Sequence, residues 1–375
     1  MRTKAAVLYE MQKPRPYAAS SPLIIEDLEL DGPGYGEVLV EVVGAGLCHS
    51  DLSTIDGSRP RPLPMVLGHE ASGIVRELGP GVASLKVDDH VVFSFVPTCG
   101  RCMCCATGRP ALCENGAASN TAGTLLNGGV RFRKGSTPVL HHLGVSAFSQ
   151  YTVAACESLV RIDPALPLDK AALFGCAILT GVGAVLNTAH VAPGQSVAVF
   201  GLGGVGLSAV MGAKLAGANP VVAVDPVAQK LERARTLGAH HTIDPKACDV
   251  VARIAELTAG GVDFAFEAVG SAAVLASAYA AVRRGGSAIS VGLPHPNQQL
   301  SIQALSLVGQ EKTLRGSYMG SAVPKRDIPR FIGLYLDGRL PVDTLLSPPL
   351  RFDEINVGFD RLATGTAVRQ ILSPA

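Results

Sequence analysis

Apolar and polar positions alternate in short bursts from Lys4 to about residue 160. Val38-Leu39-Val40-Glu41-Val42-Val43, Gly73 to Leu78 and His90 to Phe95 are such bursts, broken by glycine and proline. Period-two segments with that punctuation predict an all-β region, a small barrel with inserted loops. Near residue 180 the period changes. Val197 to Phe200 predicts a buried strand, and Gly203 to Ala216 a helix of small residues. Val221 to Val224 predicts a second strand, and Gln229 to Leu237 a second helix stopped by Gly238. Phe264 to Phe266 and Ala288 to Val291 add two more strands. Strand alternating with helix means a parallel sheet covered on both faces. Past about residue 320, a helical stretch, Ile328 to Leu336, precedes a strand-like Val368 to Leu372. The expected fold class is α/β plus β, with a doubly wound parallel sheet and a β-barrel domain. Residues 114 to 142 read as a long, polar, glycine-containing loop insertion.

Length adds a domain count: 375 residues suggest two domains, at about 150 residues each. Thirty-two basic and 31 acidic side chains nearly cancel, so the footprint of a nucleic-acid or anionic-membrane binder is missing. The apolar run Ala5 to Tyr9 is too short for a signal-peptide core. The uncharged run Ser196 to Ala213 carries five glycines and reads as strand, turn and helix, not as a membrane span. No nucleic acid, no membrane and a cytoplasmic location are the expectations.

Gly201-Leu202-Gly203-Gly204-Val205-Gly206 is a G-x-G-x-x-G between a predicted strand and a predicted helix. Asp225 ends the next strand, nineteen residues past Gly206. Gly201 allows the tight turn, Gly203 lets backbone approach a pyrophosphate, and Gly206 lets helix pack on strand. The helix N-terminus then offers free N–H groups to phosphate. A carboxylate at Asp225 accepts ribose hydroxyls and repels a 2′-phosphate, which favours NAD over NADP.

Nine cysteines without a signal peptide argue against a disulfide framework. Cys99, Cys102, Cys104, Cys105 and Cys113 fall within 15 residues. Taking Cys104 as the spare keeps a regular three-residue step, and Cys99, Cys102, Cys105 and Cys113 then suit a tetrahedral structural zinc. Cys48-His49-Ser50-Asp51, Gly68-His69-Glu70 and Gly175-Cys176 are chemically suggestive, but their spacing alone does not join them. His141 and the pair His240-His241 read as structural, in a loop and at a helix C-terminus.

These motifs, in this order, resemble the zinc-dependent medium-chain alcohol dehydrogenases nearly end to end. The matching segments are Gly68 through Gly79 to Val82, the cysteine lobe, Gly175-Cys176, the glycine turn, Val262 to Glu267 and Val368 to Leu372. The resemblance implies a GroES-like catalytic domain over residues 1–178 with a zinc lobe at about 97–115. It implies a Rossmann domain over 179–319 and a return to the catalytic domain over 320–375. Cys48, His69 and Cys176 would bind a catalytic zinc, with hydride passing from a zinc-bound alkoxide to NAD. Ser50 would take the hydroxyl proton, Asp51 would orient His69, and Glu70 would sit behind the metal. Lys230 would join Asp225 at the adenosine ribose. His49 and Arg369 would face the pyrophosphate, and Thr180 and Val205 the nicotinamide, with Val291 also binding the cofactor and Gly204 completing the glycine turn.

Departures from the family pattern narrow the chemistry. Ser53 stands where the proton relay often ends in His, and His49 where Arg is common. Ala117 stands where glutathione-dependent formaldehyde dehydrogenases place an Arg, and Cys176 where polyol dehydrogenases use Glu. The implied substrate pocket includes Phe95, Ala118, His142, Leu143, Leu293 and Tyr318, with Arg59 near its mouth. Ala118 would widen it toward medium-chain or aromatic primary alcohols. The 114–142 insertion resembles that of the dimeric branch, which implies a homodimer pairing through a sheet segment near Leu300 to Leu307. The expected function is reversible NAD-dependent oxidation of primary alcohols with one catalytic and one structural zinc per subunit. The alternatives are a thiol-adduct (formaldehyde-type) dehydrogenase and a non-catalytic dinucleotide-binding protein.

Overall fold

The computed structural model describes residues 1–374, in two compact units. The first comprises Met1–Cys176 with Val323–Ile332 and the chain from Val342 on. The second comprises Ala177–Ala322 with Gly333–Pro341.

The first unit opens with ten strands: β1 (Arg2–Leu8), β2 (Leu23–Leu30), β3 (Glu37–Gly46), β4 (Met65–Val66) and β5 (Glu70–Leu78), then β6 (His90–Phe93), β7 (Phe132–Lys134), β8 (Thr137–His141), β9 (Tyr151–Ala155) and β10 (Leu159–Arg161). β1-β2-β7-β8-β4 close into a barrel. Ala5, Val7, Leu28, Leu30, Val66, Phe132 and Val139 fill one core cluster there, with Leu39 and Val153 from the neighbouring sheet. Each fully buried Val, Leu or Phe contributes about 1.5–3 kcal/mol.

The second unit supplies β11 (Val197–Phe200), β12 (Val221–Val224), β13 (His241–Ile243), β14 (Val262–Glu267), β15 (Val282–Ser290) and β16 (Thr313–Gly316). All pair in parallel, in the order β13-β12-β11-β14-β15-β16. That is the doubly wound order with its switch point beside β11. The chain then adds β17 (Leu350–Arg351) and β18 (Ile371–Ser373) to the first unit, where they extend β10-β6-β5-β3 to β10-β6-β5-β3-β18-β17. β9 also pairs with β3.

Three readings need correction. Residues 114–142 are not a loop: they hold a helix, Glu114–Ala122, and the β7–β8 hairpin that completes the barrel. Charged strand residues such as Arg133 and Lys134, on β7, made the segment look like loop. Leu300 to Leu307 is not a sheet segment; it is irregular up to Gln303 and then enters the helix Ala304–Gly309. His141 belongs to β8 and His241 opens β13. Among the described residues no single helix is long and apolar enough to cross a membrane.

Candidate active site and cofactor-binding turn

Cys48, His69 and Cys176 converge in the first unit, and their ligand atoms all lie within 4.8 Å of one another. Cys48 is the N-cap of the helix His49–Ile55, whose third residue, Asp51, accepts the Cys48 N–H at 3.3 Å. His69 follows Gly68, which sits at φ +102°; a Cβ there would lie 2.7 Å from the Phe148 amide nitrogen. Cys176 follows the short 3-10 turn Ala172–Gly175. His69 Nδ1 donates to Asp51 Oδ1 at 3.1 Å, which leaves Nε2 facing Cys176 Sγ at 3.4 Å. Two thiols and an imidazole nitrogen at that spacing fit a tetrahedral zinc, for which a sulfur–nitrogen separation of about 3.5 Å is expected.

The surroundings are charged and dry. Asp51 and Glu70 are fully buried. Burial pushes Asp51 up, yet the imidazoles of His69 and His142 hold it below the usual carboxylate range. Glu70 is raised to about 7 by burial, aided by Cys48 and opposed by Arg369. Arg369 Nη1 lies 3.8 Å from Glu70 Oε2 and donates to Leu47 O at 3.2 Å, so this guanidinium is held against Leu47 and Glu70 and only 4% exposed. Ser50 Oγ is 4.0 Å from Cys48 Sγ. Ser53 donates to the His49 carbonyl at 2.7 Å, which ties its hydroxyl to its own helix.

Cys99, Cys102, Cys105 and Cys113 likewise place four sulfurs within 4.8 Å of one another. N–H groups of Cys99 and Gly116 donate to Cys113 Sγ, both at 3.3 Å, and Cys102 N–H and Asn115 Nδ2 donate to Cys99 Sγ at 3.4 and 3.2 Å. Donors aimed at sulfur favour thiolates, the form a zinc requires.

In the second unit the glycine turn joins β11 to the helix Gly204–Leu215. Gly201 has φ +88°, and a Cβ on Gly206 would overlap the Gly201 carbonyl oxygen. A Cβ on Gly203 would meet nothing within 4 Å, so protein packing does not demand glycine there. Open space over that backbone, at a helix N-terminus, fits a pyrophosphate. Asp225 is 5% exposed; its Oδ2 accepts Leu202 N–H at 2.8 Å and its Oδ1 accepts Val227 N–H at 2.9 Å. Lys230 is half-buried on the helix Ala228–Leu237, Thr180 lies on the helix Ala177–Gly183, and Val291 directly follows β15.

Of the expected pocket residues, Phe95, His142 and Leu143 are buried in the first unit, and Ala118 is exposed on the helix Glu114–Ala122. Phe95 meets the His69 ring edge-on at 5.5 Å. Leu293 and Tyr318, in the second unit, are 50% and 38% exposed. Two features escaped the sequence reading. His142 Nδ1 lies 3.2 Å from Asp51 Oδ1. Arg61 donates to the Asn120 carbonyl at 3.2 Å, and Asn120 donates to the Phe95 carbonyl at 2.8 Å.

Barrel, parallel sheet and donor sets together define a metal- and dinucleotide-dependent dehydrogenase. Residues 34–164 match the family model of the alcohol dehydrogenase GroES-like domain, and residues 204–336 that of the zinc-binding dehydrogenases. The chain is 37% identical over 382 residues to the S-(hydroxymethyl)glutathione dehydrogenase of Paracoccus denitrificans, covering 99% of this chain and 100% of that one. Among solved structures it is similar to benzyl alcohol dehydrogenase from Acinetobacter calcoaceticus, with 36% identity, TM-score 0.93 and all of both chains covered. It also resembles an alcohol dehydrogenase zinc-binding domain protein from Burkholderia ambifaria, with 37% identity, TM-score 0.94, and 100% and 99% of the two chains covered. The chain belongs to the zinc-dependent medium-chain alcohol dehydrogenase family.

Proposed function

We propose that this dehydrogenase oxidises medium-chain or aromatic primary alcohols to aldehydes with NAD, reversibly. The observation that carries this reading is the buried Cys48–His69–Cys176 donor set with Asp51 locked behind His69. Bound there, a zinc ion supplies Lewis acidity toward the alcohol oxygen. Asp51 fixes the His69 tautomer, and Ser50 accepts the hydroxyl proton and passes it outward. In the second unit Asp225 with Lys230 receives the adenosine ribose, the amides after Gly203 receive the pyrophosphate, Thr180 and Val205 bound the nicotinamide, and Val291 also serves the cofactor; in the first unit His49 and Arg369 are the cofactor residues of this reading. The carboxylate of Asp225 favours NAD over NADP. Cys99, Cys102, Cys105 and Cys113 hold a second, structural zinc. The substrate residues of this reading are Phe95, Ala118, His142 and Leu143 in the first unit, and Leu293 and Tyr318 in the second.

A second reading is a thiol-adduct dehydrogenase, favoured by the Paracoccus denitrificans relative's name. Ala117, exposed where that class carries an Arg, weighs against it. Zinc per subunit, together with NADH formation from benzyl alcohol, hexanol, ethanol, and formaldehyde with and without thiols, decides between them. Activity on free alcohols supports the first reading, and turnover only with an added thiol supports the second. No turnover with one zinc per subunit sinks both. The homodimer remains a proposal that no longer rests on Leu300 to Leu307 as sheet. Its support is that β16 is an outer strand of the parallel sheet and that Leu305 and Val308 are exposed, and sedimentation measures it.

A further inference from the structure

His142 was expected only to line the pocket, yet its surroundings are those of the metal centre. The ring is 2% exposed, and the residue follows β8. Its backbone N–H is held by Val66 O at 3.3 Å and by Ser146 Oγ at 2.9 Å. Nδ1 lies 3.2 Å from Asp51 Oδ1, the oxygen that also accepts Gly68 N–H and His69 Nδ1, each at 3.1 Å. The approach of His142 is oblique to that oxygen, not a straight hydrogen bond. The rings of His142 and His69 meet edge to face, with centroids 5.8 Å apart and planes at 83°. Asp51 Oδ2 takes the Cys48 N–H. One buried carboxylate therefore gathers the backbone of one metal ligand, the ring of a second, and the ring of His142.

An apolar side chain would fill this space without burying a polar ring, so the imidazole needs a reason. We infer that His142 is a positioning residue for the metal centre: its Nδ1 edge against Asp51 and its ring against His69 hold the ligand imidazole in one orientation. Facing a carboxylate selects the tautomer with hydrogen on Nδ1, whose dipole steadies the buried Asp51 charge without a second cation. Partners standing behind a ligating histidine commonly change metal affinity ten- to a hundredfold when removed. The inference rests on Cys48, His69 and Cys176 being a metal site.

The test measures zinc release to a chelator from the full-length protein. The release phase altered by C176S marks the three-ligand site. In H142F that phase should run about ten- to a hundredfold faster, as it should in H142Q, which moves the amide away from the Nδ1 position. H142N keeps an N–H donor near that position and should restore release to within about threefold of wild type. The cobalt-substituted protein should show shifted ligand-field bands in H142F and wild-type bands in H142N. If H142F loses its native circular dichroism, the Asn and Gln variants carry the comparison. Wild-type release rates in H142F and H142Q, or H142N releasing as fast as H142Q, overturn the positioning role and leave the metal site standing. A wild-type protein with no Cys176-dependent phase overturns both.

Discussion

A Cβ on Gly206 would lie 1.8 Å from the carbonyl oxygen of Gly201, well inside contact distance. Helix and strand touch there through backbone alone. Gly206→Ala must therefore shift the helix Gly204–Leu215, at a cost of at least about 2 kcal/mol. Gly203→Ala meets no protein atom within 4 Å and should leave stability unchanged while raising the KM for NAD. Urea unfolding and cofactor titration of the two variants read the two effects separately. Equal destabilisation of both would remove the reason for a ligand at Gly203.

Cys176→Ser should abolish alcohol turnover and release one zinc, with NAD affinity within about twofold of wild type, because the glycine turn and Asp225 belong to the other compact unit. Metal analysis and fluorescence titration with NADH measure both. Unchanged zinc content in this variant would speak against Cys176 as a ligand.

Asp225→Ser removes the charge that excludes a 2′-phosphate and weakens the clasp on Leu202 N–H. Preference for NAD over NADP should fall about ten- to a hundredfold, the scale of a lost charge-assisted hydrogen bond. The ratio of kcat/KM for the two cofactors gives the answer, and an unchanged ratio would place discrimination elsewhere.

His141 makes stability depend on pH. It is fully buried, and its pKa is lowered to about 3 by burial, aided by Arg131. Arg131 N–H donates to its Nε2 at 3.1 Å, so the ring hydrogen sits on Nδ1, which has no partner. Unfolded, the imidazole takes a proton near pH 6.5; folded, it stays neutral to about 3. Between those values the unfolded chain holds more protons, so this contribution is present above pH 6.5 and lost as pH falls, by about 1.4 kcal/mol per unit. In His141→Gln the descent between pH 6.5 and 5 should be shallower by that amount, and parallel urea curves for the two proteins would exclude it.

What the chain order made legible was local. The glycine turn, its flanking strand and helix, and the four-cysteine lobe each fit within a few residues, so spacing and chemistry agreed before any fold was known. The Cys48–His69–Cys176 cluster needed the family resemblance, because Cys176 lies 107 residues beyond His69. The contact of His142 with Asp51 is not legible in the chain order: it arises only because β8 pairs in parallel with β4, two residues ahead of Gly68. β7 and β8 were read as loop because Phe132-Arg133-Lys134 and Thr137 to His141 are short and carry charge or proline. Barrel closure, not propensity, makes them strands. Leu305 and Val308 misled in the opposite direction, being apolar yet exposed on a short helix.

The position of β18 between β3 and β17 has a consequence for how the molecule is made. A ribosome delivers the strands around Cys48 before the parallel sheet of the second unit, and β18 only after it. The guanidinium of Arg369, 3.8 Å from Glu70, arrives just ahead of β18. A growing chain thus contains every strand of the parallel sheet before it contains the strand that pairs with β3 at Ala45 and Gly46, or the cation that faces Glu70.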